Sequence, residues 1–268
     1  MLMAAVVSQA PWWSAAVTVE PSRESLRYRF DTPSSFDTEF LVPHFFEQRY
    51  DTRNTWVGLR VDHPLFAKRA EARVAMTPSV TRSADDFDTF YQPDGNVIVS
   101  GTTGTASLRS WRFDERVVLA RVRGADTGIA VAYRHDAATF NEGIGIVTTT
   151  KPPTETRTLV TTREFTSSRM LEIAAFASAS RNGFSADARF VPAAAGRLAV
   201  RLPDKYPGSE LVFTARYASV GAEVRYGRRI GGVRAGAALR AETTRPWQRT
   251  AAVYRRSLGL QLELGSGR

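Results

Sequence analysis

The stretch "SADDFDTFY" holds the best candidate for chemistry in this 268-residue chain. Asp86 and Asp88 are two residues apart, so in a strand both project to one side. A carboxylate pair that activates a water or a nucleophile needs that arrangement. His135, in "YRHDAATF", is a candidate base. Its neighbour Asp136 faces the opposite side of any strand, so these two form no dyad. His44 is a second possible base. The plainer reading makes Asp86 and Asp88 solvated loop carboxylates near Arg134. There are three histidines, all scattered, and no cysteine. Those counts leave no multi-histidine or thiolate metal site and no disulfide framework, and no cofactor is expected. "GTTGTAS" contains glycine but opens no helix, so it is not a phosphate loop.

The elements that would carry these residues are strands. Apolar and polar residues alternate along most of the chain, broken by Gly, Pro, Asp, Asn and Thr. In "SLGLQLELG", Leu258, Leu260, Leu262 and Leu264 alternate with Gly259, Gln261 and Glu263. The pattern predicts about ten strands, within a range of eight to twelve. They lie near 22–32, 50–62, 68–86, 104–122, 127–137, 158–178, 184–203, 210–228, 232–244 and 249–264. The seventh is expected to bend at "VPAAAG". The turns after even-numbered strands are short: "HPLFAK", "RGAD", "SRNG" and "RRIGG". Three connections after odd-numbered strands are long, including "QPDGNVIVSGTTG" and "DAATFNEGIGIVTTTKPPTETRT". The Thr/Pro-rich segment 148–158 reads as an exposed loop. No run of eighteen apolar residues exists, which excludes a membrane-spanning helix and leaves a membrane barrel open.

What decides the solvent of the leucine face is the chemistry of the face opposite. In "VRAGAALRAE" that face offers Arg234, Gly236, Ala238 and Arg240. Guanidinium groups beside Gly and Ala suit a narrow closed interior in which charges pair across a lumen. On this reading the lumen charges are Arg60, Glu71, Arg73, Arg134, Arg201, Glu223, Arg225, Arg234, Arg240 and Glu263. Lysine occurs only at Lys68, Lys151 and Lys205, and arginine is the better partner for bidentate pairing. The formal net charge is +9. Its arginines are spread through alternating strands, with no basic run or helix, so nucleic acid is not an expected partner. Aromatic residues including Tyr28, Phe30, Tyr50, Trp56, Trp111, Tyr133 and Tyr217 fall mostly toward strand ends, as interfacial girdles would. A sheet of this size with no helix to cover its edges should close on itself.

Alternating strands, tight turns at one end and long loops at the other resemble a bacterial outer-membrane β-barrel. The expected fold is all-β: a closed, up-and-down antiparallel transmembrane barrel. Asp86 and Asp88 are similar to the acidic pair of the omptin proteases, which are ten-stranded barrels. The omptin Asp-x-His pair has no counterpart here. Such barrels also commonly end on an aromatic residue, whereas the last strand here ends at Leu264. Residues 1–21 read as a signal-peptide remnant and lead-in, 22–264 as a single barrel domain and 265–268 as a tail. The first functional reading is a monomeric outer-membrane protein of structural, binding or small-pore role. Its partners would be outer-membrane lipid and a surface ligand or peptide at the long loops. The resemblance implies the alternative of an outer-membrane protease using Asp86, Asp88 and His135. A third reading is a soluble, lipocalin-like barrel, with the leucines turned inward.

Overall fold

The computed structural model describes residues 13–32, 44–78, 80–91, 95–160, 164–201, 210–248 and 251–266. Its strands are β1 (Ser14–Thr32), β2 (His44–Leu65), β3 (Lys68–Met76), β4 (Val80–Tyr91), β5 (Val97–Val122) and β6 (Ala125–Thr150), followed by β7 (Pro153–Val160), β8 (Glu164–Arg181), β9 (Phe184–Arg201), β10 (Leu211–Ile230), β11 (Val233–Pro246) and β12 (Ala251–Ser266). Segments β3 and β4 both pair with β2 and β5, so together they fill one place in the wall. Both β7 and β8 pair with β6 and fill another. The result is a ring of ten antiparallel strands, closed where β1 meets β12.

The sealing of that ring follows from the side-chain period. Leu258, Leu260, Leu262 and Leu264 are 48% to 62% exposed, while Gln261 and Glu263 between them are buried. The leucines therefore point out of the barrel, and the soluble reading with an apolar interior behind them is overturned. Val17 and Val19, Val57 and Leu59, Ile129 and Val131, and Leu171 and Ile173 continue the outward apolar belt around the wall. On β10 the belt runs from Val220 to Ile230, interrupted on the same face only near the turn, by Arg228. That is about 34 Å along the strand at roughly 3.4 Å per residue, or about 26 Å of height at a tilt near 40°, which matches the apolar band of a membrane barrel. Toward the loop end the outer wall becomes polar, with Arg23, Arg53, Arg109, Arg169 and Arg197 exposed.

The tight turns are two-residue hairpins. Arg123–Gly124 and Asn182–Gly183 have positive φ at both positions, as do Phe66 and Ala67, the geometry that matches strand twist. The other ends differ from expectation. "QPDGNVIVSGTTG" and the segment after His135 read as loops, but β5 begins at Val97 and β6 runs to Thr150. The exposed segment 148–158 is a strand hairpin turning at residues 151–152. Its high Thr and Pro content hid a paired edge.

The domain limits shift too. The first strand begins at Ser14, so residues 14–21 belong to the barrel wall. Pro21 has no N–H to give and interrupts the ladder to β12 there, which masked the strand. The last strand continues through Gly265 to Ser266. The signal-like residues 1–10 lie outside the described residues.

In β9 the bend at "VPAAAG" is a bulge. From Tyr217 to Ser219 on β10 the partners move from Ala194 to Val191, so β9 carries one extra residue beside Pro192. The same extra residue shows against Ile173 and Ala175 of β8. It inverts the alternation: Asp187 and Arg189 face inward below it, Leu198 and Val200 above it. This corrects Arg201, which was expected in the lumen. It is exposed on the outer wall, its guanidinium 4.9 Å from the Phe165 ring centroid.

Leu260 tests the belt. Leu260→Arg places a charge in the lipid-facing band and should lower folding stability in bilayers by about 2–4 kcal/mol. Urea titration in lipid vesicles, followed by the heat-modifiable gel shift, measures it. An unchanged midpoint would contradict the outward assignment.

Candidate functional site

The inward positions of the turn-end half carry long charged side chains, set beside small residues that make room for them. At Gly259, for instance, a Cβ would lie 2.6 Å from Glu20 Oε1. Arg73 on β3 donates to Glu223 on β10 at 2.8 Å, and also bonds Glu71. In a ring of ten, β3 and β10 occupy the third and eighth places, so this bond crosses the full lumen. Arg60 binds Glu71 at 2.6 Å, Glu263 at 2.9 Å and Asp62 at 3.1 Å. Arg116 links Glu71 at 3.0 Å to Asp187 at 2.7 Å. Arg134 holds Glu172 at 2.9 Å and Glu242 at 2.7 Å. Arg189 bonds Asp114 and reaches Glu172 at 3.0 Å. Arg112 pairs with Glu20 at 2.7 Å and lies 4.6 Å from the Trp56 ring centroid. A cavity of about 50 Å³ remains between Arg73, Glu223, Arg240 and Glu242, room for little more than a water or two.

Midway up, Arg255 on β12 spans to Asp136 on β6 at 2.5 Å and to Glu24 at 3.4 Å. Ser110 and Ser168 donate to the same Asp136 at 2.6 and 3.0 Å. Above this layer the interior becomes apolar. Leu26, Tyr28, Phe30, Tyr50, Leu108 and Leu198 are almost completely buried there. Gln48 sits among them and accepts from the Tyr50 hydroxyl at 2.9 Å. Several aromatics expected in an interfacial girdle therefore fill the lumen. Trp111, Phe113 and Tyr226 remain on the outer wall.

Of the expected lumen charges, Arg60, Glu71, Arg134, Glu223, Arg225 and Glu263 are buried inside, and Arg73 lies with them between Glu71 and Glu223. Arg240 is half-buried beside Glu242. Arg234 stands at the turn-end mouth, 3.9 Å from Glu263. The reading from sequence missed Glu20, Arg112, Arg116, Glu172, Asp187, Arg189, Glu242 and Arg255. Glu20 was assigned to the lead-in. The spacing Arg112–Asp114–Arg116 was visible as an alternation of opposite charges.

His135 is not brought to Asp86 or Asp88. His135 faces outward beside Trp111, its Nδ1 3.1 Å from the Ser168 carbonyl oxygen. Asp86 pairs with Gln48 and Thr102, and Asp88 with Phe46 and Ser100. Thr102 in turn pairs with Gly145 on β6, ten residues from His135, roughly 30 Å along the strand. A dyad of His135 with either aspartate is thereby ruled out. The side chains of Asp86, Asp88 and His44 lie outside the described residues. Among the described residues no group of three His, Cys, Asp or Glu side chains could hold a metal.

In the solved structures, this fold resembles the outer membrane protease OmpT from Escherichia coli, with a TM-score of 0.63, 8% identity, and coverage of 96% of this chain and 97% of that one. The chain has the fold of an outer-membrane β-barrel. A mutant of the TodX monoaromatic hydrocarbon channel matches with a TM-score of 0.29 at 8% identity, covering 97% of this chain and 91% of that one. OccK7 from Pseudomonas aeruginosa matches at 0.20 and 8%, covering 94% and 99%. No protein-family model matches the sequence of this barrel, and no curated protein does.

Within the barrel, position decides what a charge contributes. Glu172 is completely buried against Arg134, Arg189 and the Tyr217 hydroxyl. Glu172→Ala leaves two buried guanidinium groups undercompensated and should cost about 3–5 kcal/mol. Glu210, half exposed and paired with Arg197, is the contrast: Glu210→Ala should cost under about 1 kcal/mol. Paired urea titrations in lipid vesicles distinguish the two.

Proposed function

We propose that this chain is a sealed outer-membrane barrel that acts as a membrane-anchored binding platform and conducts no solute. The observation that carries this reading is the pair of stacked interior layers. The ionic layer staples opposite walls together, and an apolar layer closes the bore above it. A permeable pore needs a continuous wet path; among the described residues the two layers leave none of useful width between the ends. The strands also exceed what a membrane requires. Segments β5 and β6 have 26 residues each, against the roughly 9–11 that span a bilayer. The surplus carries the loop end clear of the lipid, where a surface ligand or peptide would be met. In planar bilayers the purified protein should show no steady conductance. A stable ion-conducting state in the wild-type protein would overturn the reading.

One observation favours a second reading, a protease-type acid–base site at the loop end. Along β2, His44 lies two residues from Phe46, which pairs with Asp88, while His44 itself pairs with Phe90. His44 and Asp88 are thus diagonal neighbours in register, and Asp86 is the next position on that side of β4. This arrangement suits a base beside a carboxylate pair. The test is cleavage of basic peptides by the wild type and by the Asp86→Ala, Asp88→Ala double variant. The protease reading predicts at least a hundredfold loss in the variant. Full retention of cleavage, or no cleavage by the wild type, removes it.

A further inference from the structure

We propose that the turn-end mouth of the barrel contains an anion site that takes a phosphoryl group, held by Arg225, Arg229 and Arg234 with Arg181 and Arg228 at its rim. The cavity there measures about 450 Å³ and lies between the β8–β9 and β10–β11 turns. All five arginines line it, and no Asp or Glu lines it among the described residues. The adjoining cavity, about 360 Å³, shares Arg225 and Arg234 with it and adds Asp62, Glu71, Asp126 and Asp187, so the carboxylates lie on the inner side of the mouth and Arg181, Arg228 and Arg229 on the side away from them.

The decisive feature is a like-charge pair without the counter-charges found elsewhere in this barrel. Arg229 and Arg234 are direct cross-strand partners, an arrangement that is destabilising when nothing neutralises it. Arg60 and Arg73 also face one another directly. That pair, however, is interleaved with Glu71, Glu223 and Glu263 at hydrogen-bonding distance. Around Arg229 and Arg234 the only carboxylate contact among the described residues is Glu263, 3.9 Å from Arg234 and already bound to Arg60. Arg181, Arg228 and Arg229 line the cavity with no carboxylate beside them in that lining.

A second observation comes from inside. Arg225 is 95% buried at its side chain, being 5% exposed, and lines this cavity. Its Nη2 is taken by Glu223, but its Nε has no hydrogen-bond partner and stands 3.8 Å from Glu263. A buried donor left unmade is costly, so this guanidinium is incompletely compensated by its carboxylates, and an oxyanion in the adjoining mouth would lower that cost through its charge. Gly227 and Gly236 pair between the levels of Arg225 and Arg229, and the Arg234 guanidinium lies over Gly227, its Nε 3.6 Å from where a Cβ would stand. Ser180 and Ser185 add hydroxyl groups to the lining. Several guanidinium forks with hydroxyls around one cavity suit a tetrahedral phosphoryl oxyanion, which accepts several donors at once. Short turns mark the periplasmic end of such barrels. The group could therefore come from an inner-leaflet phospholipid headgroup or from free phosphate.

The experiment uses the full chain in phosphate-free detergent. Inorganic phosphate is titrated and its ³¹P linewidth followed, and phosphatidylglycerol adducts are read in parallel by native mass spectrometry. Wild type should show saturable broadening, a retained lipid adduct, or both. Arg229→Gln with Arg234→Gln should weaken either at least tenfold, while Arg157→Gln, at the opposite end, should leave them unchanged. An adduct without phosphate broadening assigns the site to the lipid headgroup; the reverse assigns it to free phosphate. The heat-modifiable gel shift verifies folding. If the double variant fails that check, Arg181→Gln with Arg228→Gln at the rim is read in the same way. No binding of either probe to the wild type, or equal binding by the folded variant, overturns the proposal.

Discussion

Guanidinium–carboxylate bonds that cross the lumen are the constraint on which the rest of this barrel depends. An eight-stranded barrel is just filled by ordinary side chains, whereas ten strands enclose more space. Only long side chains can close the difference, and long side chains with bonding ends can be held at a fixed length. Arg73 to Glu223, Arg134 to Glu242 and Arg255 to Asp136 do so between distant walls. Each buried charge is expensive alone and nearly neutral when paired. The network therefore contributes little as a sum of bonds and much as a rule of position. A one-residue slip in any strand would turn its arginines into lipid and its leucines into the lumen. The register of the sheet is fixed by both penalties together.

The interior is divided because the two ends of the barrel meet different surroundings. In the turn-end half the outer wall is apolar and the inner wall ionic, the reverse of a soluble protein. In the loop-end half the outer wall carries arginine, serine and threonine, while Tyr28, Phe30, Leu108 and Leu198 fill the inside. There the strands have left the lipid, and ordinary burial of apolar surface from water takes over. The β9 bulge sits where the two regimes meet. By adding one residue beside Pro192 it lets a single strand present Asp187 and Arg189 inward in one half and Leu198 and Val200 inward in the other.

Much of this was legible in the sequence, because a period of two reports directly on which residues share a face. The leucine stripe of β12 and the charges Arg60, Arg73, Arg225 and Glu263 followed from alternation alone. So did the four tight turns, where Gly124 and Gly183 mark positive φ. What escaped was whatever breaks or conceals the period. Pro21 hid the start of β1. The extra residue in β9 reversed the phase and misplaced Arg201. Thr-rich extensions of β6 and β7 resembled loop because both faces are polar beyond the lipid. Alternation also says nothing about partners across a ring. That Glu172 serves Arg134 and Arg189 at once, and that His135 cannot approach Asp86, depends on strand order and height.

The same reasoning explains why one end of the bore is electrically unfinished. Moving toward the turn-end mouth, each arginine of the network finds a carboxylate on a neighbouring or opposite strand until Arg229 and Arg234 are reached. There Arg234 keeps one carboxylate contact, 3.9 Å to a Glu263 that Arg60 already binds, and Arg229 faces Arg234 across the strand pair. A closed barrel can neutralise its interior only where it has walls on every side. Surplus positive charge therefore collects at the turn-end rim, where the apolar belt ends.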